Sequence, residues 1–261
     1  MRANADPGNS HEVAPECAAI VGAAHEAYRT TGGLFDPRIL DSLLAVGYDR
    51  TFAEVATAAA VPSPPRQDAP LHGEWQPTVN MNQTAVTLGP TPIDLGGIGK
   101  GWTVDAAAAK LASEVSAFLV NAGGDLAVAG DGPDGDGWTV AVEEPRDSTC
   151  TLAVLRLRDG SCATSSTGRR RWIQGDEERH HLIDPRTGGP AAGGLQSVTV
   201  IADSTVKAET WSKALLIAGR DQVEHLCQEH QLAAYWVTDA GATVHSAALA
   251  PHLVWERTSD A

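Results

Sequence analysis

The apolar residues of this chain recur in two rhythms, one typical of helices and one typical of strands. In segment 12–30 they return every three or four positions, which predicts a helix that Gly32 and Gly33 terminate. The same rhythm predicts further helices over residues 38–46, 101–115, 206–218 and 222–230. Alternating or Val-, Leu- and Thr-rich runs predict strands over residues 84–88, 118–122, 138–142, 152–157 and 197–202. Hairpin-spaced strands mixed with a few helices indicate an α+β fold rather than a regular βαβ alternation.

Two polar segments between these elements predict loops. Residues 62–77 are rich in proline, and residues 131–137 (DGPDGDG) form a turn cluster between two predicted strands. The second segment is similar to a calcium-binding loop, but an EF-hand requires a glutamate at the twelfth loop position, where Val142 stands. We therefore expect no calcium site there.

Composition narrows the classes of function. The 261 residues carry 19 basic and 33 acidic side chains, a formal net charge of −14. This excess of acid argues against nucleic-acid binding, because phosphate contacts require a basic surface. No apolar run approaches the roughly 20 residues of a membrane span, and the opening residues contain no apolar stretch typical of a signal peptide. We expect one domain over residues 1–261, cytoplasmic as the sequence is given.

The four cysteines lie far apart in the sequence, at positions 17, 150, 162 and 227. They form no C-x-x-C pair, and no close cysteine–histidine spacing of the kind that binds zinc is present. Free thiols in a reducing compartment are the expected state.

The segment IDLGGIGKGWTVD (93–105) carries the densest chemical signal. It departs from both familiar phosphate-binding patterns, because Asp94 and Gly101 interrupt a P-loop and Trp102 interrupts a G-x-G-x-x-G. Its glycines, the helix start and Lys100 nevertheless favour an anion-binding turn. A tight turn into a helix with a solvated lysine fits the same residues, so both interpretations stay open.

Two other clusters place ionisable groups at the ends of predicted strands. NAGGD (121–125) directly follows a strand, and HHLIDPRTG (180–188) sets a histidine three residues before an aspartate and a proline turn. A single histidine is more often structural than catalytic. Several such loops in one acidic chain indicate a binding or catalytic site.

Taken in order, these segments resemble the ApbE family of FAD:protein FMN transferases. The matching pieces are TGGLFDP (31–37), IDLGGIGKGWTVD (93–105), LVNAGGDL (119–126), ATSSTG (163–168), HHLIDPRTGGP (180–190) and the run over 197–219. The resemblance implies a single α+β domain with mixed or antiparallel sheets and packed helices that binds FAD and Mg²⁺. It also implies transfer of FMN from FAD to a Thr or Ser hydroxyl of an acceptor flavoprotein, with release of AMP. Hydrolysis of FAD to FMN and AMP, or flavin binding without catalysis, are the alternatives.

The resemblance assigns roles to individual residues. The expected FAD contacts are Leu34, Phe35, Asp36, Asp94, Lys100, Asp125 and Thr164. His181 matches the histidine that assists the attacking hydroxyl, which makes chemical sense because an alcohol is a poor nucleophile until its proton is removed. The carbonyl of Gly97 and the side chains of Glu209 and Lys213 stand at the positions of the metal ligands.

Two departures from the family pattern lead to further expectations. Residues 2–4 (RAN) resemble the tail of a longer N-terminal segment, so the chain is expected to be short at that end, and an export signal would lie in the preceding part. The metal-binding pattern Asp-x-x-x-Thr is replaced by Glu209 and Lys213. A protonated lysine cannot ligate a metal, so we expect weak Mg²⁺ binding or none, with Lys213 as a partial surrogate.

Overall fold

A computed structural model describes residues 2–48 and 72–257, which divide into two compact units. Unit 1 consists of Met1–Gly99 and Arg170–Ala191, and unit 2 of Lys100–Arg169 and Ala192–Ala261. The helices in chain order are α1 (Arg2–Ala5), α2 (Pro15–Thr30), α3 (Leu40–Ala45), α4 (Gly99–Ala112), α5 (Thr205–Ala218) and α6 (Val223–Glu229), with a 3₁₀ helix over Ala247–His252.

The strands are mostly short and are distributed over both units. In chain order they are β1 (His11–Glu12), β2 (Thr78–Asn80), β3 (Ala85–Thr87), β4 (Phe118–Ala122), β5 (Asp125–Ala129), β6 (Trp138–Glu143), β7 (Thr151–Leu157), β8 (Gly160–Ser166), β9 (Arg171–Gln174), β10 (Glu177–His180), β11 (Ile183–Asp184), β12 (Gly189–Pro190), β13 (Leu195–Ala202), β14 (Ala233–Thr238), β15 (Thr243–His245) and β16 (Leu253–Glu256). Every strand pairing within the described residues is antiparallel.

The described residues of unit 1 combine helices α1, α2 and α3 with small sheets. Strands β1, β3 and β2 form one sheet in that order, and β9–β10 and β11–β12 form two hairpins. A small core joins the second segment of unit 1, Arg170–Ala191, to the region of α3. Its buried side chains are Leu43, Val46, Trp172 and Ile183. The indole nitrogen of Trp172 donates a hydrogen bond of 2.7 Å to the carbonyl of Val46, so this buried polar group is satisfied.

Unit 2 is built around a six-stranded sheet in the order β15-β14-β13-β8-β5-β4, with a separate three-stranded sheet β16-β7-β6. Its main core contains side chains from both sheets, including Val128, Leu155 and Tyr235. Helix α5 packs against β8 and β13. Eleven of its fourteen residues are buried, so α5 is a central element rather than an amphipathic surface helix.

The predicted elements agree with this architecture. All five predicted helices and all five predicted strands are present, with ends that differ by at most three residues. The strand predicted from residue 84 begins at Ala85 because Thr84 has a φ of 47°, outside the extended region. The turn over 131–137 separates β5 from β6 as expected. The predicted loop over 62–77 is described only from residue 72, and residues 72–77 contain no helix or strand.

Two further expectations are settled in the described part of the chain, and one is not. All four cysteines are free thiols, as predicted, and burial raises the pKa of the Cys162 and Cys227 thiols to about 12. No helix within residues 2–48 and 72–257 has the length and apolar character needed to cross a membrane. That the whole chain is one domain stays a prediction.

Candidate functional site

Two helices of unit 2 cap each other's first turn with carboxylates. Asp105 of α4 accepts hydrogen bonds from the backbone N–H groups of Thr205 (2.7 Å) and Val206 (3.0 Å), the first residues of α5. In return, Glu209 of α5 accepts a 2.8 Å hydrogen bond from the N–H of Gly101 in the first turn of α4. The first N–H groups of a helix have no partner within it and carry partial positive charge, so both carboxylates are stabilised there.

Glu209 is also paired with a cation. Its Oε1 lies 2.9 Å from the Nζ of Lys213 one turn further along α5, while Oε2 accepts the Gly101 N–H. The side chain of Glu209 is 1% exposed and that of Lys213 is 15% exposed. The spacing of four residues correctly predicted that these side chains share a face of a buried helix.

Gly101 allows this close approach of the two helices. A Cβ at position 101 would lie 2.9 Å from Oε2 of Glu209 and 2.8 Å from the carbonyl oxygen of Thr205. The carbonyl oxygen of Thr205 belongs to the backbone of α5, so it could not move away from a Cβ at position 101 as the end of a flexible side chain could. The glycine at position 101, which interrupts the P-loop pattern, therefore serves helix packing in this chain.

The side chains expected to bind metal do not fit a divalent cation. Both oxygens of Glu209 already accept hydrogen bonds, and the ammonium of Lys213 has no lone pair to offer. No group of three or more His, Cys, Asp or Glu side chains suited to a metal is found within the described residues. Gly97 belongs to unit 1, in a turn where Ile98 and Gly99 donate backbone hydrogen bonds to Leu95. A divalent site formed by the side chains of Glu209 and Lys213 is therefore not supported by their donor set, and metal contact by the Gly97 carbonyl stays a prediction.

A second lysine–carboxylate pair lies at the start of α4. Lys100 forms a hydrogen-bonded ion pair with Asp125, the first residue of β5. The hairpin between β4 and β5 turns through Gly123 and Gly124, with φ of 68° and 99°, values that favour glycine. Asp125 is 2% exposed in its side chain and Lys100 is 38% exposed. Lys100 is thus neither an isolated anion-binding charge nor a freely solvated lysine, because a buried acid holds it.

Thr164 lies on β8, opposite Thr199 of β13. The two hydroxyl oxygens are 2.8 Å apart, and Thr164 is exposed while Thr199 is buried. The next residue, Ser165, points to the other face and hydrogen-bonds Ser212 of α5 at 2.8 Å. The alternation along β8 therefore leaves the Thr164 hydroxyl accessible and uses its neighbour for helix packing.

In unit 1, the segment after α2 holds three of the expected FAD contacts. The N–H of Phe35 donates to the hydroxyl of Thr31 (3.0 Å), and Phe35 is buried whereas Leu34 is partly exposed. Asp36 accepts from the Arg38 guanidinium with both oxygens, at 3.0 and 2.7 Å, and is 4% exposed. The Asp36 carboxylate is therefore a buried, bidentate ion pair, and FAD contact by it stays a prediction.

The same Asp-Pro-Arg arrangement occurs a second time in unit 1. Asp184 accepts from Arg186 at 2.8 and 2.9 Å, and both side chains are buried. In both copies the N–H of the arginine also donates to the aspartate, at 2.9 Å. Neither arginine was among the predicted site residues, although the repeat of DPR at 36–38 and 184–186 is visible in the sequence.

Asp94 shapes the glycine-rich turn of unit 1. Its N–H donates to the carbonyl of Pro37 (2.7 Å), and its Oδ1 accepts from the N–H of Gly96 (2.8 Å). The carboxylate therefore fixes the turn that leads into α4, and it remains partly exposed. This is the local arrangement typical of aspartate in turns.

The adjacent histidines of unit 1 are in different surroundings. Nε2 of His180 lies 3.0 Å from the carbonyl of Ala191, and its Nδ1 accepts from the N–H of Leu182 at 3.3 Å. Burial lowers the pKa of His180, which agrees with a neutral ring that donates from Nε2. The half-buried ring of His181 instead stacks on the exposed ring of Tyr48, with centroids 6.5 Å apart and an angle of 24°. His180 is held by the backbone on both ring nitrogens, and proton transfer by His181 stays a prediction.

The structure thus groups the expected residues within each unit. Unit 1 holds Leu34, Phe35, Asp36, Asp94, Gly97 and His181, and unit 2 holds Lys100, Asp125, Thr164, Glu209 and Lys213. Lys100 and Asp125 are in contact, as are Glu209 and Lys213. Asp105, whose side chain caps α5, was not among the residues predicted to act in the site.

ApbE proteins are among the solved structures that match this architecture. A crystal structure of an ApbE protein from Thermotoga maritima matches with a TM-score of 0.77 and 26% identity, covering 98% of this chain and 83% of the other. The flavin transferase ApbE from Vibrio cholerae matches with a TM-score of 0.74 and 22% identity, over 94% of this chain and 79% of that one, which demonstrates the shared fold. The class of protein is therefore an α+β protein of the ApbE fold.

Sequence comparison gives the family. The ApbE family profile matches residues 1–236, and the chain belongs to the ApbE family. It is 32% identical over 151 residues to the FAD:protein FMN transferase of Escherichia coli strain K12, covering 57% of this chain and 43% of that protein. It is 31% identical over 246 residues to that of Rhodobacter capsulatus, covering 90% of this chain and 45% of that protein. The chain spans about half the length of these curated relatives.

Proposed function

We propose that this chain is an FAD:protein FMN transferase, which moves FMN from FAD to a Thr or Ser hydroxyl of an acceptor flavoprotein and releases AMP. The observation that carries the proposal is the family match over residues 1–236, together with curated relatives that bear this activity in their names. The α+β architecture and the order of the matching segments support it.

The reaction exchanges the phosphoanhydride linkage of the FAD diphosphate for a phosphoester linkage to the acceptor hydroxyl. The acceptor oxygen attacks the phosphorus on the FMN side of the diphosphate, the bond from that phosphorus to the bridging oxygen breaks, and AMP leaves. The attacking hydroxyl must lose its proton, and His181 is our candidate for the base because it stands at the position to which the ApbE resemblance assigns that role. No step is assigned to a metal, because Glu209 and Lys213 do not form a divalent site.

The net charge of −14 makes local positive groups important for an anionic substrate. Lys100 is partly exposed although it pairs with the buried Asp125, so we propose that its ammonium faces the diphosphate as well. Asp94 and Thr164 are also partly or fully exposed and are the polar contacts that we propose for FAD.

The test is incubation of the protein with FAD and a flavin-acceptor domain, read by intact mass and by analysis of the nucleotides. Addition of one FMN to the acceptor, with AMP in equal amount, supports the transferase. Free FMN and AMP without the adduct would indicate a hydrolase, and unchanged FAD a non-catalytic flavin-binding protein. His181→Gln should lower turnover by roughly 10²–10⁴-fold with little change in FAD affinity, the range typical for loss of a general base. The exposed His225 provides a matched control, and His225→Gln should retain wild-type turnover.

A further inference from the structure

The environment of Glu209 combines features that a cation site requires, yet one cation is already present. Its carboxylate is almost fully buried, with one oxygen bound to the N–H of Gly101 and the other 2.9 Å from the Nζ of Lys213. A carboxylate in that position needs a positive partner, because an unpaired buried charge is strongly destabilising.

A divalent cation at Glu209 would have to displace this arrangement. It would break the hydrogen bond to Lys213 and place two like charges within a few ångströms of each other in a poorly solvated site. The side chain of Lys213 is only 15% exposed, so water would only weakly screen the repulsion between its ammonium and the metal ion. The ammonium and the metal ion are therefore mutually exclusive partners of this carboxylate.

We propose that Lys213 is the permanent cation of this site, in place of a divalent metal ion, and that it excludes Mg²⁺ and similar ions from Glu209. The positive charge is then covalently part of the chain and is insensitive to chelators. If the proposed function holds, the chain transfers FMN without drawing a divalent cation to Glu209. The metal-binding part of this inference does not depend on that function.

The decisive experiment measures Mn²⁺ binding to the whole protein in the absence of FAD, by electron paramagnetic resonance of free Mn²⁺. We expect weak binding or none to the wild type. Lys213→Thr and Lys213→Gln, which remove the ammonium, should each bind one Mn²⁺ on the order of tenfold more tightly or better, because a repelling charge is gone. The double variant Glu209→Gln/Lys213→Thr should lose this gain, which would locate the ion.

Lys207 supplies the matched control. It lies on the same helix and pairs with Asp203 at the same spacing of four residues, but both side chains are largely exposed. Lys207→Thr should leave Mn²⁺ binding as in the wild type. Far-UV circular dichroism and thermal melting confirm which variants are folded, and a rise in melting temperature of Lys213→Thr with added Mn²⁺ is a second expected result.

Three outcomes would overturn the proposal. The first is tight, stoichiometric Mn²⁺ binding by the wild type, which needs no variant to be observed. The second is unchanged binding in folded Lys213 variants, which would mean that the ammonium is not what excludes the ion. The third is a gain that survives in the double variant, which would place the ion elsewhere. Absence of FMN transfer would count against the proposed function but would leave these binding results intact.

Discussion

Each of the two lysine–carboxylate pairs of unit 2 contains a buried acid, but the pairs differ in how far the lysine is exposed to solvent. Asp125 and Glu209 are 2% and 1% exposed, whereas their partners Lys100 and Lys213 are 38% and 15% exposed. The partly exposed Lys100 is able to exchange hydrogen bonds with water or a ligand. Lys213 is held against a carboxylate that also caps a helix, so its charge is fixed. This difference is expected if the cation of one pair faces a ligand, as proposed for Lys100, and the cation of the other pair is structural.

The largest expected effect follows from breaking the more buried pair. Glu209→Gln removes the negative charge beside Lys213 and weakens the cap on α4, so the free energy of unfolding should fall by about 3–5 kcal/mol. Urea denaturation followed by circular dichroism measures this change. Glu224→Gln, at an exposed position on α6, is the control and should lie close to the wild type. A loss below about 1 kcal/mol for Glu209→Gln would mean that Lys213 is well solvated, contrary to the comparison.

The second prediction concerns the ligand-facing pair and rests on the proposed function. Lys100→Ala should weaken FAD binding by roughly tenfold, the effect of about 1.4 kcal/mol that is typical of one charge-assisted hydrogen bond. Isothermal titration calorimetry of the folded variant gives the affinity. Lys110→Ala, at the exposed far end of the same helix, tests whether any lost charge has this effect. Equal affinities for wild type and Lys100→Ala would remove Lys100 from the FAD site.

The third prediction is the counterpart of the first. Asp125→Asn leaves Lys100 without its acid, but this ammonium is exposed enough for water to solvate it. We expect a loss of only about 1 kcal/mol in the free energy of unfolding, well below that of Glu209→Gln. The same urea titration provides the measurement. Similar losses for the two variants would show that burial of the lysine does not distinguish the pairs.

The contrast between the pairs also explains which parts of the site the sequence predicted. Glu209 and Lys213 are one helical turn apart, so a local rule was enough to place them on one face. Lys100 and Asp125 are separated by 25 residues, and Asp105 and Thr205 by 100. Such contacts depend on how the helices and strands pack, and no periodicity in the sequence reports them.

Strands β8 and β14 were not predicted from the sequence, for a related reason. Strand β8 (GSCATSS) consists of small and polar residues with weak strand preference. Two of its serines, Ser161 and Ser165, are buried and hydrogen-bond to Thr205 and Ser212 of α5. Strand β14 (AAYWVT) is buried on both faces, so it lacks the alternation that identifies a strand with one exposed face. The elements that were predicted have either a helical rhythm or clear β-branched runs.

The smallest expected effect comes from a buried ionisable group that is stabilised in its neutral form rather than by an opposite charge. Burial lowers the pKa of His180 from its ordinary value of 6.5, and its ring bonds to the Ala191 carbonyl. Below that ordinary value the unfolded chain binds a proton more readily than the folded chain. The stability that His180 contributes is therefore fully present above about pH 6.5 and is lost as the pH falls.

Between about pH 7 and pH 5 the wild type should lose slightly more stability than His180→Gln, because burial lowers the pKa of His180 in the folded chain. Gln is chosen because its amide retains a donor and an acceptor for Ala191 and Leu182. The free energy of unfolding is measured by urea titration at each pH, with His225→Gln as the solvent-exposed control. If wild type and His180→Gln lose stability in parallel, His180 takes up a proton in the folded state as easily as in the unfolded one. In that case burial at His180 does not disfavour the protonated form of a basic group. The cost of burying a positive charge in this fold would then be small, and Lys213 would depend less on Glu209 to offset that cost.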